Sequence, residues 1–354
     1  MKSYRTVYQA HQFPVFQNRM FSSKQEAENC VKGDINLVQD LETGLIFNQA
    51  FNSDLMQYDT NYQNEQAVSN IFQKHLKNVS KIIQKHFDSY SLIEVGCGKG
   101  HFLEHLQDLG FKIIGIDPTY EGESSSVIKK CFSPEIGICA DGIILRHVLE
   151  HVQDPVEFIL SIRDSNGGGG KIYIEVPCFN WICDHCAWFD IFYEHVNYFQ
   201  LDDFYRMFEV VYGCGHIFGG QYLYVVADLA KIRLPKFKKS ALIDFPKNFL
   251  DTFYQYTNSL RNRNKKSFAI WGGASKGVIF ALFLQRAGIK IETVIDINPA
   301  KQGKYLAGTG LLVQSPTEAL KNLLPSADIF VMNSNYLSEI IDLTNNKFNY
   351  LTVD

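Results

Sequence analysis

Residues 93–100 read Ile-Glu-Val-Gly-Cys-Gly-Lys-Gly, three glycines at alternate positions directly behind a short apolar strand, SLIEVG (91–96). No other run in the chain restricts the fold as much. The strand must turn sharply through the glycines into HFLEHLQDLG, a helical segment closed by Gly110. Glycine permits that turn and lets a ligand lie against bare backbone. The following strand, FKIIGID, ends in Asp117, 17 residues beyond Gly100. A carboxylate there can accept hydrogen bonds from both hydroxyls of a ribose. The spacing is G-x-G-x-G, not the G-x-G-x-x-G of a pyrophosphate binder. Glu94, two residues before the first glycine, suits a cationic ligand better than an anionic one.

The alternation of strand and helix continues downstream. GIILRHVL reads as a strand, and DPVEFILSIRD as a helix with Asp154 as cap and Pro155 in its first turn. KIYIEVP (171–177) is a fourth strand and QYLYVVADL (221–229) a late one. Upstream, residues 65–87 space Val68, Ile71, Phe72, Leu76, Val79, Ile82 and Ile83 at three and four residues, the period of an amphipathic helix. Such an order predicts an α/β fold with right-handed crossovers and a parallel sheet covered by helices on both faces. Residues 1–58 carry no sustained period and predict short strands and loops. Between 231 and 266, ten Lys/Arg stand against only Asp244 and Asp251. That stretch reads as a linker containing one helix, FPKNFLDTFYQYTNSLRNR. A second glycine loop follows in SFAIWGGASKG, with Asp296 19 residues past Gly277. Val278 stands where a Walker loop requires lysine, so this is no P-loop.

Composition excludes several classes. With 34 Lys+Arg against 38 Asp+Glu there is no global basic field to draw nucleic acid. No apolar run approaches the roughly 18 residues of a membrane span. The opening MKSYRTVYQAHQF lacks an apolar leader, and eight cysteines in a chain of this length suit reduced thiols, so a cytoplasmic location is expected. Cys178, Cys183 and Cys186 cluster around His185 without a paired second knuckle, and His147-Val-Leu-Glu150-His151 fits H-x-x-E-H. The zinc-protease form of that pattern needs both histidines on one helix, whereas here the first ends a strand. No metal is expected at either place.

The three motifs E-V-G-C-G-K-G, I-D-P and R-H-V-L-E-H-V-Q-D-P, in that order, resemble those of class I S-adenosylmethionine (SAM) methyltransferases. The resemblance implies SAM as cofactor. It places Gly96, Gly98 and Gly100 against the methionine part, Glu94 near its ammonium, Asp117 on the ribose and His147 along the same crevice. The acceptor residues should then lie beyond the fourth strand. That stretch, CFNWICDHCAWFDIFYEHVNYFQLDDF, gathers Asp190, Tyr193, Glu194, His195, Asn197 and Tyr198 among further aromatics. His195 is the natural general base near neutral pH. In an extended chain Tyr193 and His195 share a side while Glu194 faces away.

Residues 59–354 further resemble the SAM-dependent C-methyltransferases of nucleotide-linked 4-keto deoxysugars. The resemblance rests on Glu194-His195 followed by Tyr198-Phe199, on Gly219-Gly220, on GGASKG, on 296–309 (DINPAKQGKYLAGT) and on Ser315-Pro316. It implies three parts: a small N-terminal lobe (1–58), a methyltransferase domain (59–230), and a linker helix with a second Rossmann-like domain (231–354). It implies that His195 removes the proton beside the ketone and that the enolate carbon takes the methyl group, with Tyr193 or Asn197 steadying the enolate oxygen. Tyr62, Tyr198, Gly220, Ser275 and Lys276 become substrate contacts, the last two as phosphate candidates. The chain departs from the family in two ways. Cys30 is the only cysteine before Cys97, so the family's N-terminal zinc is not expected, and Phe192 stands where many relatives carry tyrosine. Two other readings stay open: O- or N-methylation of a polysaccharide precursor, and a nucleotide-binding protein or dinucleotide oxidoreductase using the second loop.

Overall fold

The computed structural model describes residues 3–56, 62, 63, 66–87, 91–261 and 267–354. The expected helix start at Glu65, the 58/59 lobe boundary and the last residues of the linker helix lie outside them. The central sheet has seven strands in the order Val211–Ile217, Tyr222–Asp228, Lys171–Pro177, Gly142–Arg146, Ser91–Val95, Lys112–Ile116, Val127–Ile128. The last five of these pair in parallel, and the first two add an antiparallel edge. Ser91–Val95 pairs with the next strand in sequence on one side and with Gly142–Arg146 on the other. The strand order therefore reverses at the carboxyl end of Val95, and the glycine loop sits at that reversal point. Open α/β sheets place their ligands there because neighbouring crossovers diverge to opposite faces and leave a crevice.

Local signals place the helices. Ser69 caps Asn70–His86 by accepting from the amides of Ile71 and Phe72, and the helix buries Phe72, Leu76, Val79 and Ile83. Val68, counted on the apolar face, precedes that cap and is 43% exposed. Gly100, at φ +85°, leads into His101–Asp108, and Asp154 caps Pro155–Ser165 by accepting from the Glu157 amide.

The N-terminal lobe is more regular than expected. Tyr4–Pro14, Lys32–Asp40 and Ile46–Asn48 form an antiparallel sheet, completed by Asn197–Tyr198 from the aromatic loop. Register shifts at Thr6/Tyr8 and Ala10/Phe13 break the two-residue alternation of its longest strand, so no period was legible there. Met20–Phe21 also pairs with Tyr305–Leu306 of the C-terminal region. Two strand pairings thus tie residues 1–58 to both other parts of the chain.

The C-terminal sheet is all parallel, in the order Val313–Gln314, Thr293–Ile295, Phe268–Trp271, Asp328–Val331, Asn349–Thr352. Its helix Lys276–Arg286 receives Trp188 from the aromatic loop, whose ring lies 5.5 Å from Phe280 and 4.8 Å from Phe283. Part of the 14% aromatic content therefore packs lobe against lobe. Among the described residues no helix is long and apolar enough to cross a membrane.

Candidate active site

The glycine loop turns through three positive φ values, +75° at Gly96, +54° at Gly98 and +85° at Gly100. A Cβ on Gly96 would meet Val148 Cγ2 at 2.4 Å, whereas one on Gly98 would meet nothing within 4 Å. Gly96 is glycine for packing, and Gly98 keeps open the space above the loop. The Gly98 amide donates to Asp117 Oδ2 at 2.8 Å, and the Thr119 amide and hydroxyl donate to Oδ1 at 2.8 and 2.7 Å. A carboxylate has about four acceptor sites, so these three bonds hold Asp117 in place and leave it capacity for one more donor.

Glu94 lies beneath the loop, 3% exposed, with Oε2 lacking a hydrogen-bond partner. Burial pushes its carboxyl up to about 8, against the pull of the Arg146 guanidinium. An orphaned buried carboxylate under a bare glycine is a fit for a cationic ligand, so Glu94, Gly98 and Asp117 can hold SAM. Two expected results follow from this geometry. Gly98→Ala should leave the fold in place, with about 1–2 kcal/mol of backbone strain from its positive φ, while weakening SAM binding by about tenfold or more. Thermal melting and calorimetry separate the two effects. SAM affinity should also rise with pH up to about 8. A cation against Oε2 favours the ionised form, so binding expels the proton that Glu94 carries below that pH. Calorimetry in buffers of different ionisation enthalpy reads the released proton. Glu94→Gln should abolish that release, which also separates it from titration of the cofactor's own amine.

Behind the crevice lies a buried ionic network. Glu175, fully buried, accepts from His75 Nε2 at 2.7 Å, Arg146 Nε at 2.9 Å and the Tyr173 hydroxyl at 3.1 Å. Burial opposes its ionisation, but Arg146 and the two histidines hold its carboxyl well below the usual range. His147, at φ +53°, leaves the strand and turns its ring edge-on to Tyr222 at 4.6 Å. Its Nδ1 lies 3.3 Å from Glu150, and its Nε2 lies 3.3 Å from Glu175 without the alignment of a hydrogen bond. Burial alone would lower its basicity; Glu150 and Glu175 outweigh that and raise it to about 9. His147 faces these carboxylates and is not turned toward His151, as the strand end in its sequence implied.

The aromatic loop bends at Tyr193 and Glu194, so the extended alternation expected there does not form. Tyr193 points into the N-terminal sheet, tilted against Phe51 at 5.6 Å, and its hydroxyl accepts from the Asn52 amide at 2.8 Å. The Asn197 side chain donates to the Val152 carbonyl, and the Tyr198 hydroxyl bonds both the amide (2.9 Å) and the carbonyl (3.0 Å) of Phe192. Tyr198 closes the loop on itself, and Asn197 ties it to the segment that follows Gly142–Arg146. Glu194 is held by the N-terminal lobe and the segment after it. Its carboxylate accepts from Tyr62 Oη at 2.7 Å, from the Gln17 amide at 2.9 Å and from Asn18 Nδ2 at 3.4 Å. Burial pushes its carboxyl up, against these donors and His151.

His195 is left in a pocket of rings, 4.8 Å from Phe192, 5.0 Å from His151 and 6.4 Å from Tyr198. Desolvation, reinforced by His151 and His147, pushes its basicity well below the ordinary value, so the imidazole is neutral. Among the described residues it makes no hydrogen bond. The C-terminal loop reaches this site through the N-terminal lobe: Ser275, at φ +44°, donates its hydroxyl to Asn18 Oδ1 at 3.0 Å. Lys276 is not a free cation. Its ammonium lies 3.1 Å from Asp190 and 3.0 Å from Gln221 Oε1, over the Trp181 ring, so a phosphate would have to displace Asp190. Gly220, at φ +86°, backs onto the same indole. Asp296, the acid after the second glycine loop, is paired with Lys301 at 3.3 Å.

Gln17, Asn18 and Arg146 lie among these groups and were not singled out from the sequence; Glu150 and His151 were noted only as an H-x-x-E-H pattern at which no metal was expected. Only the R-H-V-L-E-H run offered a signal. The Asn and Gln come from a segment with no periodicity at all. Cys183, by contrast, is buried and its thiol is pushed up to about 12, as packing requires.

A methyltransferase-domain family matches residues 64–211. The chain is similar to C-methyltransferase NovU of Streptomyces niveus, 23% identical over 295 residues, which cover 72% of this chain and 69% of that protein. It is also similar to the mitochondrial ubiquinone biosynthesis O-methyltransferase of Homo sapiens, 30% identical over 101 residues, 23% of this chain and 27% of that one. Among solved structures, a SAM dependent methyltransferase from Archaeoglobus fulgidus is 19% identical at a TM-score of 0.34, covering 44% of this chain and 93% of its own. Since the matched span holds the five parallel strands whose reversal point carries the glycine loop, residues 64–211 are a methyltransferase domain of the class I fold, and the chain is a SAM-dependent methyltransferase.

Proposed function

We propose that the acceptor is carbon, beside the ketone of a nucleotide-linked 4-keto deoxysugar, and that His195 is the base. The observation that carries this reading is the His195 imidazole, without a hydrogen bond among the described residues, set beside the rings of Phe192, His151 and Tyr198 and held well below its ordinary basicity by desolvation. A ketone acidifies the neighbouring C–H, and a neutral imidazole held in place can take that proton and leave an enolate carbon. SAM supplies an electrophilic methyl group. Glu94 and Asp117 hold the cofactor, while Glu194, fixed by Tyr62, Gln17 and Asn18, anchors the loop that carries the base. The hydroxyl of Tyr193 and the amide of Asn197 are engaged elsewhere, which leaves His151 as the imidazole beside the base. The nucleotide is assigned to the neighbourhood of Gly220 and the 272–277 loop, where Lys276 becomes a phosphate ligand once Asp190 yields.

The C-methyltransferase name of the Streptomyces relative supports carbon as the acceptor. The test is incubation of nucleotide-linked keto sugars with the enzyme in D2O, with and without SAM. Deuterium should enter at the carbon beside the ketone without the cofactor, and methyl at the same carbon with it. Methylation at oxygen or nitrogen of the true substrate, with no exchange, would overturn the reading in favour of O- or N-transfer.

A further inference from the structure

Glu150, His151 and His195 bring one ligand atom each to within 4.8 Å of one another. Two of the three are oriented by a group behind them. His147 Nδ1 stands 3.3 Å from Glu150 Oε1, which leaves Oε2 buried and without a partner. His151 Nδ1 donates to the main-chain carbonyl of Glu194 at 2.9 Å. A carbonyl only accepts, so the proton is fixed on Nδ1 and the lone pair on Nε2. His195 makes no hydrogen bond among the described residues, and its ring stands edge-on to His151. One carboxylate oxygen and one nitrogen of each imidazole thus lie within 4.8 Å of one another.

We propose that Glu150, His151 and His195 form a binding site for a borderline divalent cation of the Zn2+ class, with solvent completing the shell. Two imidazoles and one carboxylate are the ligand set of open zinc sites. A liganding histidine that gives its other N–H to a backbone carbonyl is the usual supporting arrangement. The H-x-x-E-H pattern is used in a different way from the zinc-protease form: His147 supports the carboxylate, and the second imidazole comes from the aromatic loop 44 residues on. An ion there takes the lone pair of His195, so occupancy and proton abstraction by His195 exclude each other. The site does not depend on the identity of the acceptor substrate.

Titration of the full, cofactor-free chain with Co2+, followed by visible absorption, reads the site directly. One equivalent should bind with the d–d bands of a four- or five-coordinate ion and without thiolate charge transfer, and Zn2+ should bleach the bands. His151→Asn and Glu150→Gln should each weaken Co2+ binding by at least ~10-fold, the loss expected when even an outer supporting group is removed. SAM affinity of both variants, measured by calorimetry, reports that they fold. His195→Asn provides a third variant should either fail. Absence of d–d bands at millimolar Co2+ would overturn the proposal, as would bands that persist in all three variants or that carry thiolate charge transfer from the 178–186 cysteines. A cluster satisfied by a shared proton gives the first of these results. Because the readout needs no substrate, its failure leaves His195 as a base untouched, and failure of the D2O experiment leaves the ion site untouched.

Discussion

His195→Asn is expected to lower methyl transfer by about 10²- to 10⁴-fold, the contribution of a positioned general base. SAM affinity should stay within about twofold, because the residue touches none of the groups assigned to the cofactor. Asparagine fills much of the ring's volume between Phe192 and His151, so the surrounding contacts at 4.8 and 5.0 Å lose little packing. What it lacks is a nitrogen lone pair that can take a proton. Single-turnover methyl transfer and calorimetry with SAM measure the two quantities separately, and deuterium exchange beside the ketone should vanish with the rate. A variant that transfers methyl at near wild-type rate would remove His195 from the chemistry.

Glu175→Gln should destabilise the protein by about 3–5 kcal/mol, the cost of removing one partner from a buried ion pair. The carboxylate is 0% exposed and holds His75, Arg146 and Tyr173. Glutamine keeps the shape and loses the charge. The Arg146 guanidinium, whose Nη2 already lacks a partner, then loses its carboxylate, and His147 keeps only Glu150. Urea unfolding should show a lower midpoint at an unchanged slope. The pH dependence has a definite sign. The folded carboxyl of Glu175 is depressed, so its stabilisation is present above its unfolded value near 4.3 and is lost as the pH falls through the folded one. His147 is raised, so its share is complete below its unfolded value near 6.5 and is lost as the pH rises through about 9. The variant should show neither limb at full size. Equal stability of the two proteins at pH 7 would mean that the network is solvated in solution.

Much of the central sheet could be read directly from residue types. SLIEV, KIYIEVP and the capped helix at Asp154-Pro155 are local patterns, and each appears within a residue or two of its expected bounds. The strand Val211–Ile217 had no such signal, because glycines and a histidine interrupt its apolar positions and it is only half-buried. The glycine loop with Glu94 and Asp117 was equally local, since the strand and turn that carry them lie within 24 residues. Tyr193, Asn197 and Tyr198 were harder. Their residue types fit a catalytic loop, yet two bends and a strand pairing with Phe47 and Ile46 direct them into main-chain bonds.

By itself, then, the sequence determined the glycine loop, its two carboxylates and the layered α/β architecture, because turn chemistry and side-chain period act over a few neighbouring residues. Tertiary structure alone decided which polar groups meet. Glu194 finds Gln17 and Asn18 across more than 170 residues, His75 finds Glu175 across 100, and His151 is brought to His195 across the sheet end. Those meetings follow from where buried charges and acceptors must be satisfied once the lobes close on one another. No local pattern encodes that requirement.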